Sequence, residues 1–278
     1  MSDTVPEGSV SPVFRTGSGN VALGIAVIAF MSIALYNALE LSVLIPLSFR
    51  RYNSLYFWAL LISTVLGVIP ATIGPSLEFF NLSPLWLSLT LSNIGFVCMV
   101  PNQSVVLYSR LHLVSQNPTV LSMVRWLVIA GGFVVIPTIV MNFGSSYRPQ
   151  ESSWTSGFNV LERLQLTWFA TQEMCISSIY IWETIQLIRL SPKEDKRRHK
   201  ILYELIAINV AAICMDISLL VLEYLGFYYT QVIFKATVYS VKLKLEFAVL
   251  GMLVSIVRSH SESAPPTWQA DWTSSTFS

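Results

Sequence analysis

Residues 201–225 read ILYELIAINVAAICMDISLLVLEYL. The stretch is long enough to cross a hydrocarbon layer, which takes about 20 mostly apolar residues as a helix. It also carries Asp216 well inside it, with Glu204 and Glu223 toward its ends. An apolar run with a carboxyl at depth predicts a membrane helix, and it makes that carboxyl a functional candidate. Six further stretches qualify by length and composition: 21–47, 55–73, 85–107, 120–141, 164–187 and 232–257. Turn-rich or charged residues separate them, such as Asn117-Pro118 and Ser191-Pro192-Lys193.

The whole chain agrees with that local reading. Of its 278 residues, 53% are hydrophobic and only 12% charged, and the mean hydropathy is +0.59. Those values exclude a disordered chain and an ordinary soluble domain. The net charge of +1 supplies no basic field for phosphates, so no nucleic-acid partner is expected. The fold expected is an all-α integral membrane protein, a bundle of seven transmembrane helices. It comprises a polar tail over 1–20, a membrane domain over 21–257 and a polar tail over 258–278. The tail over 1–20 has no basic segment leading into a short apolar core and a small-residue cleavage site, so the first span is expected to be its own anchor. Cys98, Cys175 and Cys214 all lie in apolar stretches and read as small core residues.

Lysine and arginine orient the bundle. Arg50, Arg51, Arg110, Arg125, Arg189, Lys193, Lys196, Arg197, Arg198, Lys200 and Arg258 fall on one side, eleven in all; Arg15, Arg148 and Arg163 fall on the other. The asymmetry places the N-terminus outside, or lumenal, and the C-terminus in the cytosol. The sequon Asn81-Leu82-Ser83 is followed by Pro84 close to the membrane and is not expected to carry a glycan.

Ionisable groups at depth are concentrated in a few spans. They are Glu40 in the first, Glu173 and Glu183 in the fifth, Asp216 and its two neighbours in the sixth, and Lys235, Lys242, Lys244 and Glu246 in the seventh. Lys235, Lys242 and Glu246 share one stripe, and Lys242 with Glu246 stands at the i, i+4 spacing of a direct pair. Lys244 points the other way. Two readings are open: interhelical ion pairs that hold the bundle together, or chemistry. Glu183, Glu204 and Glu223 lie near span ends and read as structural. Glu173 and Asp216 come from different helices at a similar outer-half depth, where a carboxyl needs a partner or a proton. A protonated carboxyl in an apolar interior is a general acid. Tyr180 and Tyr239 add ring faces that stabilise cations. Arg110, after Tyr108-Ser109, reads as a snorkelling positive-inside residue. The histidines, His112, His199 and His260, lie at cytosolic ends, and no metal-ligand cluster and no cofactor motif is present.

Three alternative classes were weighed against these residues. A retinal protein would use Lys242 for its Schiff base, but the third span offers no carboxylate counterion. A G-protein-coupled receptor would carry an Asp-Arg-Tyr motif and an Asn-Pro-x-x-Tyr motif, and neither is present. A transporter built of two repeats does not fit seven spans.

The stretches 37–41 (NALEL), 107–113 (LYSRLHL), Gln172-Glu173 with 180–183 (YIWE), Asp216 to Glu223-Tyr224, and 239–246 (YSVKLKLE) resemble a fungal seven-span family over about residues 20–257. Most members are catalogued without a function. Some resemble membrane-bound terpene cyclases of ascochlorin- and ascofuranone-type meroterpenoid pathways. The resemblance implies a metal-independent isomerase- or lyase-type cyclase of the endoplasmic reticulum. Its substrate would be a lipophilic farnesylated precursor with a terminal epoxide, taken from the bilayer. Glu173 or Asp216 is then the expected acid, Glu40 and Glu246 are second choices, and Tyr180, Tyr239 and Lys242 are the expected substrate contacts.

Overall fold

Backbone N–H and C=O groups in an apolar medium must be satisfied within the chain, and a helix does this locally. The computed structural model describes residues 21–48, 54–79, 82–114, 117–147, 152–190, 196–225 and 228–262, and almost all of these are helical. Seven helices result: α1 (Val21–Ser48), α2 (55–79), α3 (Leu85–Val114), α4 (Pro118–Tyr147), α5 (Ser152–Leu190), α6 (Lys196–Tyr224) and α7 (Tyr228–Glu262). The tail over 1–20, most of the tail expected over 258–278, the sequon asparagine Asn81 and the basic residues Arg50, Arg51 and Lys193 lie outside the described residues.

Five of the seven, α1 to α4 and α6, are long and apolar enough to cross a membrane. The other two depart from the seven uniform spans expected from sequence. Lys235, Lys242, Lys244 and Glu246 interrupt α7, and glutamines with Glu173 interrupt α5. The helices also outrun the apolar stretches. At 39 residues, α5 is about 58 Å long, roughly twice a hydrocarbon core. It begins twelve residues before the stretch at 164, because helical hydrogen bonding continues through the polar residues ahead of it.

Each helix packs on its chain neighbours, α7 closes the ring on α1, and α3 also reaches α5 and α7. The bundle has a buried apolar core, with Leu41, Leu60, Phe169 and Leu243, and departs from a water-soluble protein in two further respects. Large apolar groups such as Ile25, Leu47, Trp126 and Phe133 are exposed, while Arg110, Glu173, Asn209, Asp216, Lys242 and Glu246 are buried. Cys175 and Cys214 are exposed and Cys98 is half-buried, contrary to the core placement expected. Where the outward face is itself apolar, a small apolar side chain sits there as readily as inside. Hydroxyls within the helices are satisfied by the carbonyl one turn back, as with Thr64 on Leu60, Thr72 on Val68 and Thr184 on Tyr180. The start of α4 is capped by Asn117, whose side-chain oxygen accepts from the Thr119 N–H at 3.1 Å, with Pro118 at the first helical position.

A π-helical turn over Ser63–Val68 divides α2 just before Pro70. Proline has no N–H to donate to residue 66, and the widened turn absorbs the missing bond. Here α2 and α3 approach at backbone distance. A Cβ on Gly67 would lie 2.9 Å from the Met99 Cα, and one on Gly95 would overlap the Ala71 backbone. Small residues at such crossings are how helices associate in lipid, where no hydrophobic drive brings them together.

The short connections alternate the ends of the helices. The end holding the starts of α1, α3, α5 and α7 is called the outer end below, and the opposite one the inner end.

Candidate functional site

Residues Lys235, Tyr239, Lys242 and Glu246 recur at helical spacing on α7, and all four are buried. Midway along this stripe, Lys242 donates to Glu173 of α5 at 2.5 Å and to Asp216 of α6. The Tyr239 hydroxyl donates to the other Glu173 oxygen at 3.4 Å, and the Lys242 ammonium lies 5.3 Å from the Tyr239 ring centre. Glu173, Asp216, Tyr239 and Lys242 are each 2% exposed or less. Two carboxyls and one ammonium from three helices thus meet in an apolar bundle. Isolating the ammonium there would be costly, so it needs at least one of the two carboxyls as a partner.

Glu246 does not pair with Lys242, although the i, i+4 spacing predicted that contact. It lies one turn further inward, where Arg110 of α3 approaches to 2.9 Å as a charge pair without aligned hydrogen-bond geometry. The same guanidinium donates to Asn209 of α6 at 2.5 Å and stacks 4.4 Å above the Tyr180 ring of α5. The Tyr56 hydroxyl of α2 donates to the Glu246 carbonyl at 2.8 Å. Arg110 is therefore no snorkelling surface residue; at 2% exposure it joins three other helices, α5, α6 and α7. Interior carboxylate charge outweighed the reach of its side chain toward water. Tyr180 belongs to this inner cluster and not to the Glu173 cluster.

Glu40 stands apart. It accepts from Lys244 at 2.5 Å on the α1–α7 seam, with Asn37 accepting a second bond from Lys244 at 3.3 Å, and both charged side chains are about a third exposed or more. The α7 stripe passes Lys244 to the opposite face, as its spacing predicted. Glu223 is buried and lies 3.7 Å from Arg163, a structural pairing near the outer end.

Toward the outer end lies a cavity of about 100 Å³ between α2, α3, α4, α5 and α7. Its lining includes Asn93, Phe96, Asn142, Glu162, Gln165 and Lys235. Lys235 stands seven residues from Lys242, so the cavity reaches within about 10 Å of the central cluster. Ala236, also in the lining, is less than one turn from Tyr239.

Asn209 was not singled out from the sequence. It stands seven residues before Asp216 and fourteen before Glu223, and all three are buried, so the polar stripe of α6 was longer than its acids alone showed. Among the described residues no three His, Cys, Asp or Glu side chains form a group able to hold a metal ion.

The chain matches the family described as a domain of unknown function, DUF7703, over residues 16–265. It belongs to that family. The DUF7703 match runs from before α1 to beyond the last helical residue, so it takes in the whole bundle with both buried clusters and the cavity. No curated protein and no solved structure matches the chain.

Proposed function

We propose that this DUF7703 protein is a seven-span enzyme of the endoplasmic reticulum membrane, with its N-terminus lumenal. It cyclises a lipophilic, farnesylated precursor by protonating it. The observation that carries the reading is the meeting of Glu173, Asp216 and Lys242 in the bundle interior. One lysine and two carboxyls are electrically balanced when the carboxyls share a single proton. That proton, held away from water, is the acid that epoxide or alkene activation needs. The acid's hydrogen goes to the epoxide oxygen, the C–O bond breaks, and the prenyl double bonds supply the electrons that close the rings. Loss of a proton from the last cation to a base returns the balance. The Tyr239 ring beside the cluster offers a π-face to a passing cation.

The test is incubation of microsomes containing the protein with a farnesylated aromatic carrying a terminal epoxide, followed by product analysis. Cyclic product absent from control microsomes supports the reading, and unchanged epoxide overturns it.

One observation favours a second reading. Lys242, on the last helix, lies between two carboxyls from other helices, which is the surrounding a protonated retinal Schiff base requires. A visible absorption band on adding retinal to the purified protein, lost in Lys242→Met, would support that reading in place of the cyclase.

A further inference from the structure

The outer cavity holds polar groups that the central cluster does not use. The Gln165 side chain is about 1% exposed and lines the cavity, and neither its amide nitrogen nor its amide oxygen has a hydrogen-bond partner among the described residues. A buried amide without partners marks a place where a polar group from elsewhere is accommodated. Opposite it, Lys235 is 3.9 Å from Glu162, which is an open pair beyond hydrogen-bond length, and its ammonium lies 4.9 Å from the Phe96 ring centre. The wall also carries Ser92, Asn93, Thr138 and Asn142, and Phe96, Met99 and Phe158 give it an apolar part.

We propose that this cavity binds a small carboxylate, held between the Lys235 ammonium and the Gln165 amide with its short apolar tail against Phe96 and Phe158. The site does not depend on the cyclase reading. A cavity of about 100 Å³ is roughly two-thirds of one that encloses benzene, so it suits a head group and a few carbons. The amide N–H and the ammonium donate to the two carboxylate oxygens, and the phenyl rings cover the tail.

Charge balance makes this binding depend on pH through Glu162. Glu162 lies two residues outside the fifth apolar stretch, and burial pushes its carboxyl up to about 7. The groups facing it are Lys235 of α7, which opposes that shift, Glu223 of α6, which adds to it, and its neighbour Arg163, which opposes it. Below pH 7 the protonated Glu162 leaves the Lys235 charge to the ligand. Above pH 7 the Glu162 anion competes for Lys235 and repels a second anion.

Butyrate titrated into the purified, detergent-solubilised protein by calorimetry tests the site, with 1-butanol as the uncharged control. Saturable butyrate binding is expected, roughly tenfold tighter at pH 6 than at pH 8. Gln165→Leu, which keeps the side-chain bulk, should weaken it roughly tenfold by removing its polar contact. Lys235→Met should abolish it. Absence of saturable heat from butyrate, equal binding of 1-butanol, or unchanged affinity in Gln165→Leu would overturn the proposal. Because Gln165→Leu removes no charge, the test stands even if Lys235→Met does not fold.

Discussion

Lys242 is held by two carboxyls, so losing one still leaves it a partner. Glu173→Gln and Asp216→Asn should each express and insert close to wild-type level. The double variant removes both carboxyls and strands a buried ammonium, at a cost of about 3–5 kcal/mol. Its loss of folded protein, read by fluorescence-detected size exclusion, should greatly exceed the sum of the two singles. Simple additivity would contradict the shared-partner geometry. At this scale the sequence exposed the charged residues of the interior more readily than their contacts. Glu173, Asp216 and Lys242 were legible because charge inside an apolar run is conspicuous. Their pairing was not, because spacing along one helix reports neighbours on that helix alone. Glu246 stands four residues from Lys242, yet it meets Arg110 of α3, and only the packing of the two helices decides that. Arg110 was misjudged for the same reason: a basic residue at a span end looks alike whether it reaches for water or for a carboxylate behind it.

Helix number and approximate bounds followed from apolar stretches and the turn residues between them. The internal form of α2 did not. Its π-helical turn depends on Pro70 and on how closely α3 lies behind it, and the second condition is tertiary. Gly95 carries that crossing, since any side chain there meets the Ala71 backbone, which cannot rotate away. Gly95→Val should therefore push α2 and α3 apart and destabilise the protein by at least about 1–3 kcal/mol, the usual cost of overpacking. A thermal melt in detergent should show a clear drop in Tm. Gly132, with open space around its missing Cβ, serves as the control, and Gly132→Ala should leave Tm near wild type. Equal melts for the two variants would contradict the close approach of α2 and α3.

At the scale of the molecule, α5 and α7 are the two helices without a stretch apolar enough by composition to cross a membrane among the described residues. They can lie within a bilayer because their polar residues turn inward to each other, to α6 and to α3, while α1 and α4 present large apolar side chains outward. The seven-span arrangement proposed above implies a sidedness that can be tested. At the inner end Arg125, Arg189 and Lys200 are exposed, in keeping with the eleven-to-three distribution of basic residues. In sealed microsomes, externally added protease should cut the chain between α5 and α6 near residues 192–200. Protection of that connection would reverse the orientation.

In the proposed reaction Glu173 and Asp216 together hold the working proton. Product formation per folded molecule, measured for Glu173→Gln and Asp216→Asn against wild type with the farnesylated epoxide, tests it most directly. An amide keeps the shape of the carboxyl but cannot donate an acidic proton, and general acid catalysis is typically worth about 10²–10⁴-fold. Folded, inserted protein is expected, with turnover reduced by about that factor in at least one of the two variants. Wild-type turnover in both variants, with both correctly folded, would contradict it.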